Sequence, residues 1–313
     1  MRKYDTNAIF NICLKTVLFV VVSAGFFCLF RFLFGAPVII AAVISLAAGL
    51  LAVMLFSFAL RYTRFYYFYY SAVSMFLFRE KTGEVYCPCC GKHFRQFRDE
   101  RYYDDASRYN PAMFSKQRQA VICDFCRSAP RHRIIASWAE DNTDLLRSSK
   151  ILYFAPELSM MLWFRRHGIK VITADLYDRR TDLRLDLTDI ALPDGSEDIV
   201  FCNHVLEHVP DYSLALSELH RIIRKGGMLI ISFPIDPGAD DVREDTNASV
   251  EERIRLFGQN DHFRVFGMSS SKILEDAGFE VDTVSVGGLP DDIMPVTGPA
   301  DYDTNTIFCC VKK

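Results

Sequence analysis

Charge is almost absent from the front of this 313-residue chain. From Thr16 to Leu60 the only charged residue is Arg31. That excludes an ordinary amphipathic surface helix, which needs a polar face. A membrane-spanning helix needs roughly 20 apolar residues, and the run has length for two. In the rest of the chain acidic residues outnumber basic ones. Met1 to Lys81 holds eight Lys or Arg against Asp5 and Glu80, a balance of +6, so the remainder carries −9 to reach the total of −3. An acidic body argues against nucleic acid as the main partner, because phosphate binding needs a basic patch. A disulfide scaffold is excluded as well. The ten cysteines are spread over a long chain, and four of them form two C-x-x-C pairs, the pattern of a metal site in a reducing compartment.

Gly35-Ala36-Pro37 interrupts the apolar run near its middle and predicts a tight helical hairpin within residues 1–64. Arg31 precedes that turn, where its long stem can snorkel to the headgroups. Arg2, Lys3 and Lys15 precede the first span, and Arg61 and Arg64 follow the second. The positive-inside rule then predicts a multi-pass membrane protein with both termini cytoplasmic. A cleaved signal peptide fits poorly, since a second long span follows at once. A pair of buried core helices fits poorly too, given the length and the missing polar face. Residues 65–82 are aromatic-rich but too short to span; they suit a helix lying at the membrane interface or one packed on the soluble part.

Residues 83–148 are expected to hold a metal knuckle and a linking helix. Cys87-Pro88-Cys89-Cys90-Gly91 and Cys123-Asp124-Phe125-Cys126 each present two thiols on one side of a turn, as tetrahedral zinc requires. Gly91 suits the tight turn after a ligand. The ligand set read from this spacing is Cys87, Cys90, Cys123 and Cys126, with Cys89 a bystander or an alternative ligand. Four thiolates leave no open position, so the expected role is structural. The front is similar to a zinc ribbon or treble-clef knuckle. Arg131-His132-Arg133 is the one compact basic cluster that follows; it suits a helix start or salt bridges more than an anion site.

Residues 149–313 read as alternating strands and helices. Lys150–Phe154 and 169–174 are expected strands, followed by Ala155-Pro156-Glu157 and Asp175 respectively. Ile199-Val200-Phe201-Cys202 fits a strand buried on both faces, ending at Asn203 and His204, where open α/β sheets bind ligands. A helical pattern then runs from Pro210-Asp211 to Lys225-Gly226-Gly227, with the next strand at 228–233. The insertion 234–267 shows no regular pattern and contains Asp261-His262-Phe263-Arg264 between Gly258 and Gly267, which suits a hinged lid. A helix over 268–277, closed by Gly278, precedes a final hairpin of 279–286 with 305–311; the Gly/Pro-rich loop between those strands can reach the site. His204-Val205-Leu206-Glu207-His208 also matches H-x-x-E-H, the inverted zinc-protease pattern, but that motif needs a long helix and Pro210 follows at once.

The unit around D-I-V-F-C-N-H-V-L-E-H-V-P-D resembles the fourth motif of class I S-adenosylmethionine-dependent methyltransferases, and the resemblance covers about Lys150 to Lys313. It implies an α/β fold: a doubly wound Rossmann-like methyltransferase sheet, preceded here by a small zinc-ribbon segment and two transmembrane helices. It implies a cofactor site of Ala155, Pro156, Glu157, Asp175, Leu176, Asp186, Leu187, Asn203 and His204. Within it Asp175 takes the ribose hydroxyls, while Asp186 and Leu187 meet the adenine. The chain departs from the family in having Ala155-Pro156-Glu157 where most relatives carry G-x-G-x-G. The expected activity is methyl transfer from S-adenosylmethionine at the cytoplasmic face, with His262 and then His204 as candidate bases. A lipid or lipid-linked saccharide acceptor follows only from the anchor, and the zinc knuckle would equally suit a protein or RNA acceptor. The alternative is a membrane-tethered binding or scaffold module that kept the fold and lost catalysis.

Overall fold

The computed structural model describes residues 6–35, 37–62, 84–98, 121–285, 293 and 306–313. The expected interfacial segment 65–82 and most of the loop between the last two strands lie outside these residues. The chain divides into two compact units, Met1–Tyr69 and Tyr70–Lys313.

In the first unit, α1 (Thr6–Cys28) runs into a π-helical turn, Leu29–Leu33, and α2 (Val38–Tyr62) follows the break at Gly35. Leu14–Leu33 and Val38–Ala59 are each long and apolar enough to cross a membrane. Gly49 lies so close to Ser23 and Phe19 that a side chain there would collide with both, so α1 and α2 pack tightly where this glycine sits.

The second unit is built on a six-stranded sheet. Its strands are β3 (Ile151–Phe154), β4 (Ile172–Ala174), β5 (Glu197–Asn203), β6 (Ile223–Ser232), β9 (Phe279–Ser285) and β10 (Thr306–Lys312), in the order β4-β3-β5-β6-β10-β9. The first four are mutually parallel, and β10 runs antiparallel to both neighbours. The sheet is therefore mixed. Its central strands are apolar on both faces because both are covered. Ile151, Tyr153, Ile199, Phe201 and Ile230 enter one core with α3 (Pro130–Asp141), α4 (Thr143–Ser148) and α5 (Leu158–Arg166). The alternate residues Leu152, Phe154, Val200, Cys202, Leu229 and Ile231 enter the other with α6 (Tyr212–Ile222) and α8 (Ser270–Asp276). Helices on both faces of a mostly parallel sheet make a Rossmann-like fold.

Helix α6 stops at Ile222 rather than at Lys225-Gly226-Gly227. Those glycines lie inside β6: Gly226 takes a φ of 72°, and a Cβ on Gly227 would strike the Asp198 carbonyl. The insertion is more regular than its sequence suggested. It contains α7 (Val250–Phe257), opened by a Ser249–Glu252 capping box, and the short antiparallel pair β7 (Arg243–Glu244) and β8 (Arg264–Val265). Gly258 is the left-handed C-cap of α7, and Gly267 sits hard against the Asp240 and Asp241 backbone, a position of close approach.

The cysteine segment shares the first core. The hairpin β1 (Val85–Cys87) and β2 (Lys92–Phe94) carries the first C-x-x-C, and Cys87, Cys123 and Cys126 pack in the cluster that holds Trp163 and Phe201. Arg166 on α5 donates to the Pro88 carbonyl at 2.9 Å.

Candidate functional site

The sheet register assembles the site. Phe154 pairs with Ala174 on one side and with Cys202 on the other, all in parallel. One residue further on, Ala155, Asp175 and Asn203 therefore leave three adjacent strands side by side, roughly 4.8 Å apart in the pairing direction. This is the carboxyl edge where α/β sheets bind ligands. Two of the turns are bent in a way glycine prefers: Ala155 has a φ of 47° and His204 a φ of 53°. Such left-handed conformations cost a non-glycine residue about 1–2 kcal/mol and concentrate at functional sites.

Asp175 Oδ1 accepts the amides of Tyr177 and Asp178, both at 2.7 Å, which folds the turn after β4 and leaves Oδ2 without a partner among the described residues. Leu176 is half-buried in that turn, and its carbonyl accepts Arg184 Nε at 3.1 Å. Asp186 is exposed, its Oδ1 taking the amide (2.9 Å) and hydroxyl (2.7 Å) of Thr188, whereas Leu187 is buried in the second core. Asn203 is 2 % exposed; Oδ1 accepts the Ser232 hydroxyl at 2.9 Å, and Nδ2 is buried without a hydrogen bond. An orphaned donor at a strand end suits a polar ligand group.

Glu157 is occupied by protein groups. Oε1 lies 2.5 Å from His132 Nε2 and 3.1 Å from an Arg131 guanidinium nitrogen, and Oε2 accepts Tyr153 at 3.3 Å. Burial would raise its pKa, but the charges of His132 and Arg131 outweigh that and hold it well below the usual carboxylate range. The basic cluster thus splits. Arg131 and His132 tie α3 to the Ala155-Pro156-Glu157 turn, while the fully buried Arg133 donates to the Val121 (2.8 Å) and Ser128 (3.0 Å) carbonyls beside the cysteines.

His204 is partly open, with a side chain 28 % exposed, and Nδ1 stands 3.3 Å from Glu207 Oε1. Burial, seconded by Arg131, lowers its pKa and keeps the ring neutral at neutral pH. His262 is 2 % exposed and sits under the Leu206–His208 turn, Nδ1 3.0 Å from the Phe257 carbonyl, so it is a core side chain rather than one on an open lid. The H-x-x-E-H run forms a single 3₁₀ turn, not the long helix a protease site needs. Sequence reasoning missed the role of Arg264. Its guanidinium, fully buried over the Tyr212 ring, donates to the carbonyls of Leu206 (2.5 Å), Val209 and Pro210 (2.8 Å) and pairs with Glu244 at 2.5 Å. It thereby fixes the loop that carries Glu207 and His208. The only local signal was its place in the Asp261–Arg264 run.

The four cysteines converge. Cys87, Cys90, Cys123 and Cys126 offer sulfurs within 4.8 Å of one another, with Cys87···Cys126 at 3.6 Å and Cys90···Cys123 at 3.9 Å. Zinc–sulfur bonds of about 2.3 Å in a tetrahedron put sulfurs about 3.8 Å apart, so the set is compatible with zinc. Cys89 turns away, to the His132 carbonyl at 3.4 Å. The residue after each pair is left-handed, Gly91 at φ 69° and Arg127 at φ 61°.

A protein-family model described as a methyltransferase domain matches residues 159–231, from α5 to β6. A "Probable S-adenosylmethionine-dependent methyltransferase" of Mycolicibacterium smegmatis is 32% identical over 34% of this chain and 38% of its own length. An uncharacterized 37.1 kDa protein in transposon TN4556 of Streptomyces fradiae is 33% identical over 32% of this chain and 29% of its own. The chain thus spans under two fifths of the length of the curated relatives it matches. Among solved structures, an S-adenosylmethionine dependent methyltransferase from Mesorhizobium loti aligns over 56% of this chain and 97% of its own, at 16% identity and a TM-score of 0.41. The segment matched by the methyltransferase-domain model includes Asp175, Asp186, Asn203 and His204.

Proposed function

We propose that the protein is a membrane-anchored S-adenosylmethionine-dependent methyltransferase working at the cytoplasmic face. The observation that carries this reading is the side-by-side exit of Ala155, Asp175 and Asn203 from one sheet edge within and beside the matched segment. Asp175 would hold the ribose through its free carboxylate oxygen and Asp186 the adenine amine, with Leu187 behind it. The Asn203 amide would complete the floor. The sulfonium cofactor supplies an already activated methyl group, so the chain mainly has to align donor and acceptor. His204, neutral and partly open, is the better placed base for an acceptor proton; His262 is enclosed.

The anchor reading rests on Leu14–Leu33 and Val38–Ala59, with Arg2, Lys3, Arg61 and Arg64 outside the spans and Lys15 and Arg31 near the ends of the first. A lipid or lipid-linked saccharide acceptor follows from that anchor. Zinc in the four-cysteine cluster would be structural, since no position stays open. Full-length protein should stay in the membrane pellet after alkaline carbonate washing, and release would remove the anchor.

A specific observation favours the second reading, a binding module without catalysis: Glu157, in the turn that replaces the glycine loop, is fully engaged by Arg131, His132 and Tyr153. Calorimetry separates the two. S-adenosylmethionine should bind the full chain, and Asp175→Ala should weaken it by about 2–3 kcal/mol, the range for hydrogen bonds to a charged group. No binding to wild type would leave the scaffold reading standing.

A further inference from the structure

Beneath the turn after β5 lies a group of ligating atoms that the methyltransferase reading does not use. Glu207, His208 and His262 each bring one such atom within 4.8 Å of the other two. Glu207 is 1 % exposed, and neither carboxylate oxygen has a hydrogen bond; His262 is 2 % exposed, and its Nε2 has none. Among the described residues, Glu207 forms no ion pair within 4.0 Å with either of these histidines; only His204 comes that near. The spacing is therefore too wide for a direct proton-shared pair.

The tautomer sharpens the problem. His262 Nδ1 faces the Phe257 carbonyl at 3.0 Å, and a carbonyl only accepts, so Nδ1 carries the hydrogen. Nε2 of the neutral ring is then a bare lone pair within 4.8 Å of a ligand atom of the buried Glu207 carboxylate, whose one ion-pair partner among the described residues is His204. Acceptors facing one another in a buried space are costly unless a cation lies between them. His208 completes the set: its ring meets the His262 ring edge-on at 4.6 Å, and its Nδ1 lies 3.1 Å from Asp261 Oδ2. A carboxylate that orients a ligating imidazole is a usual outer partner of metal sites. The cage is held rigid. Arg264 clamps the carbonyls of Leu206 and Pro210 on either side, and the Phe263 amide donates to the Glu207 carbonyl at 2.8 Å.

We propose that Glu207, His208 and His262 bind a divalent first-row cation such as Mn²⁺, Fe²⁺ or Zn²⁺. Two imidazoles and one carboxylate are a donor set these ions accept with coordination positions left over. Metal–ligand bonds of about 2.1 Å would draw the three atoms together by roughly 1 Å. His204, 3.3 Å from Glu207 and partly exposed, stands at the open side. Resting on the methyltransferase reading, the open positions would take an oxygen or nitrogen donor of the acceptor and lower its proton affinity.

Manganese is the probe, because a hard ion discriminates against the four-cysteine cluster. Full-length protein in detergent is titrated with Mn²⁺ while the free-ion electron paramagnetic resonance signal is followed, and zinc content and melting temperature are measured on the same samples. One Mn²⁺ per chain is expected in wild type. Glu207→Gln and the surface-accessible His208→Ala should each bind it at least about 10-fold more weakly, with zinc content unchanged. Absence of Mn²⁺ binding in wild type, or equal affinity in a folded His208→Ala protein, overturns the site. Calorimetry with S-adenosylmethionine in metal-free buffer keeps the two readings apart. Cofactor binding without Mn²⁺ binding removes only the metal, and Mn²⁺ binding without cofactor binding removes only the methyl transfer.

Discussion

At the scale of single residues the two candidate histidines part company. Both follow from the same sequence logic, an imidazole that titrates near neutrality, His262 in the insertion and His204 at a strand end, yet their surroundings differ. His262 is enclosed, with one nitrogen on the Phe257 carbonyl. His204 sits in a left-handed turn with its ring partly open. His204→Gly removes the imidazole and relieves the backbone at once. It should leave the melting temperature equal to wild type or higher and cut turnover about 10²–10⁴-fold if the ring is a general base. His262→Ala should lower melting temperature and turnover together, because it empties a buried site. Equal turnover in His204→Gly and wild type would take the base role from His204. None of this was legible from residue type. Burial decides it, and burial depends on α7 and β8, which the sequence of the insertion did not announce.

At the scale of elements the strands were legible, because two-sided burial writes continuous apolar runs such as Ile199–Cys202. The strand-end residues Asp175 and Asn203 came with them. What stayed hidden were contacts between distant segments: Arg264 to the carbonyls of 206–210, and α3 to the turn after β3. Carbonyl acceptors carry no sequence signature. The α3 link makes a pH prediction. The Glu157 carboxyl is held below its ordinary value by His132 and Arg131 against the effect of burial. A depressed folded-state pKa contributes stability that is complete above the unfolded value, about 4.3, and is lost as pH falls through the folded value. Wild type should therefore exceed Glu157→Gln in melting temperature by its full margin near pH 7. The margin should shrink steadily below about pH 4. A margin that stays constant down to pH 2 would mean the ion pairs contribute nothing.

At the scale of the whole molecule the question is why a cysteine cluster should accompany a Rossmann-like sheet. Within residues 70–313 the cluster is no appendage. Cys87, Cys123 and Cys126 share a core with Trp163 and Phe201, and Arg166 reaches from α5 to the Pro88 carbonyl, crossing the space above Gly91. The same region anchors Arg133, and the next two residues back, His132 and Arg131, hold Glu157 in the turn after β3. A C-x-x-C pair announces ligands in a sequence but not what leans on them, so this coupling was not legible. It has a consequence. If zinc holds the four sulfurs, its loss should loosen α3 and with it the Ala155–Glu157 turn, because metal-binding free energy is folding free energy in such sites. Cys123→Ser/Cys126→Ser should lose the one zinc per chain expected in wild type and weaken S-adenosylmethionine binding, although none of the four cysteines lies in the strand-end turns that carry Ala155, Asp175 and Asn203. Cys89→Ser, whose sulfur faces the His132 carbonyl, should keep both. Elemental analysis with calorimetry on the three proteins decides it. Stoichiometric zinc in the double variant would refute the ligand set, and zinc loss with unchanged cofactor affinity would refute the coupling through α3.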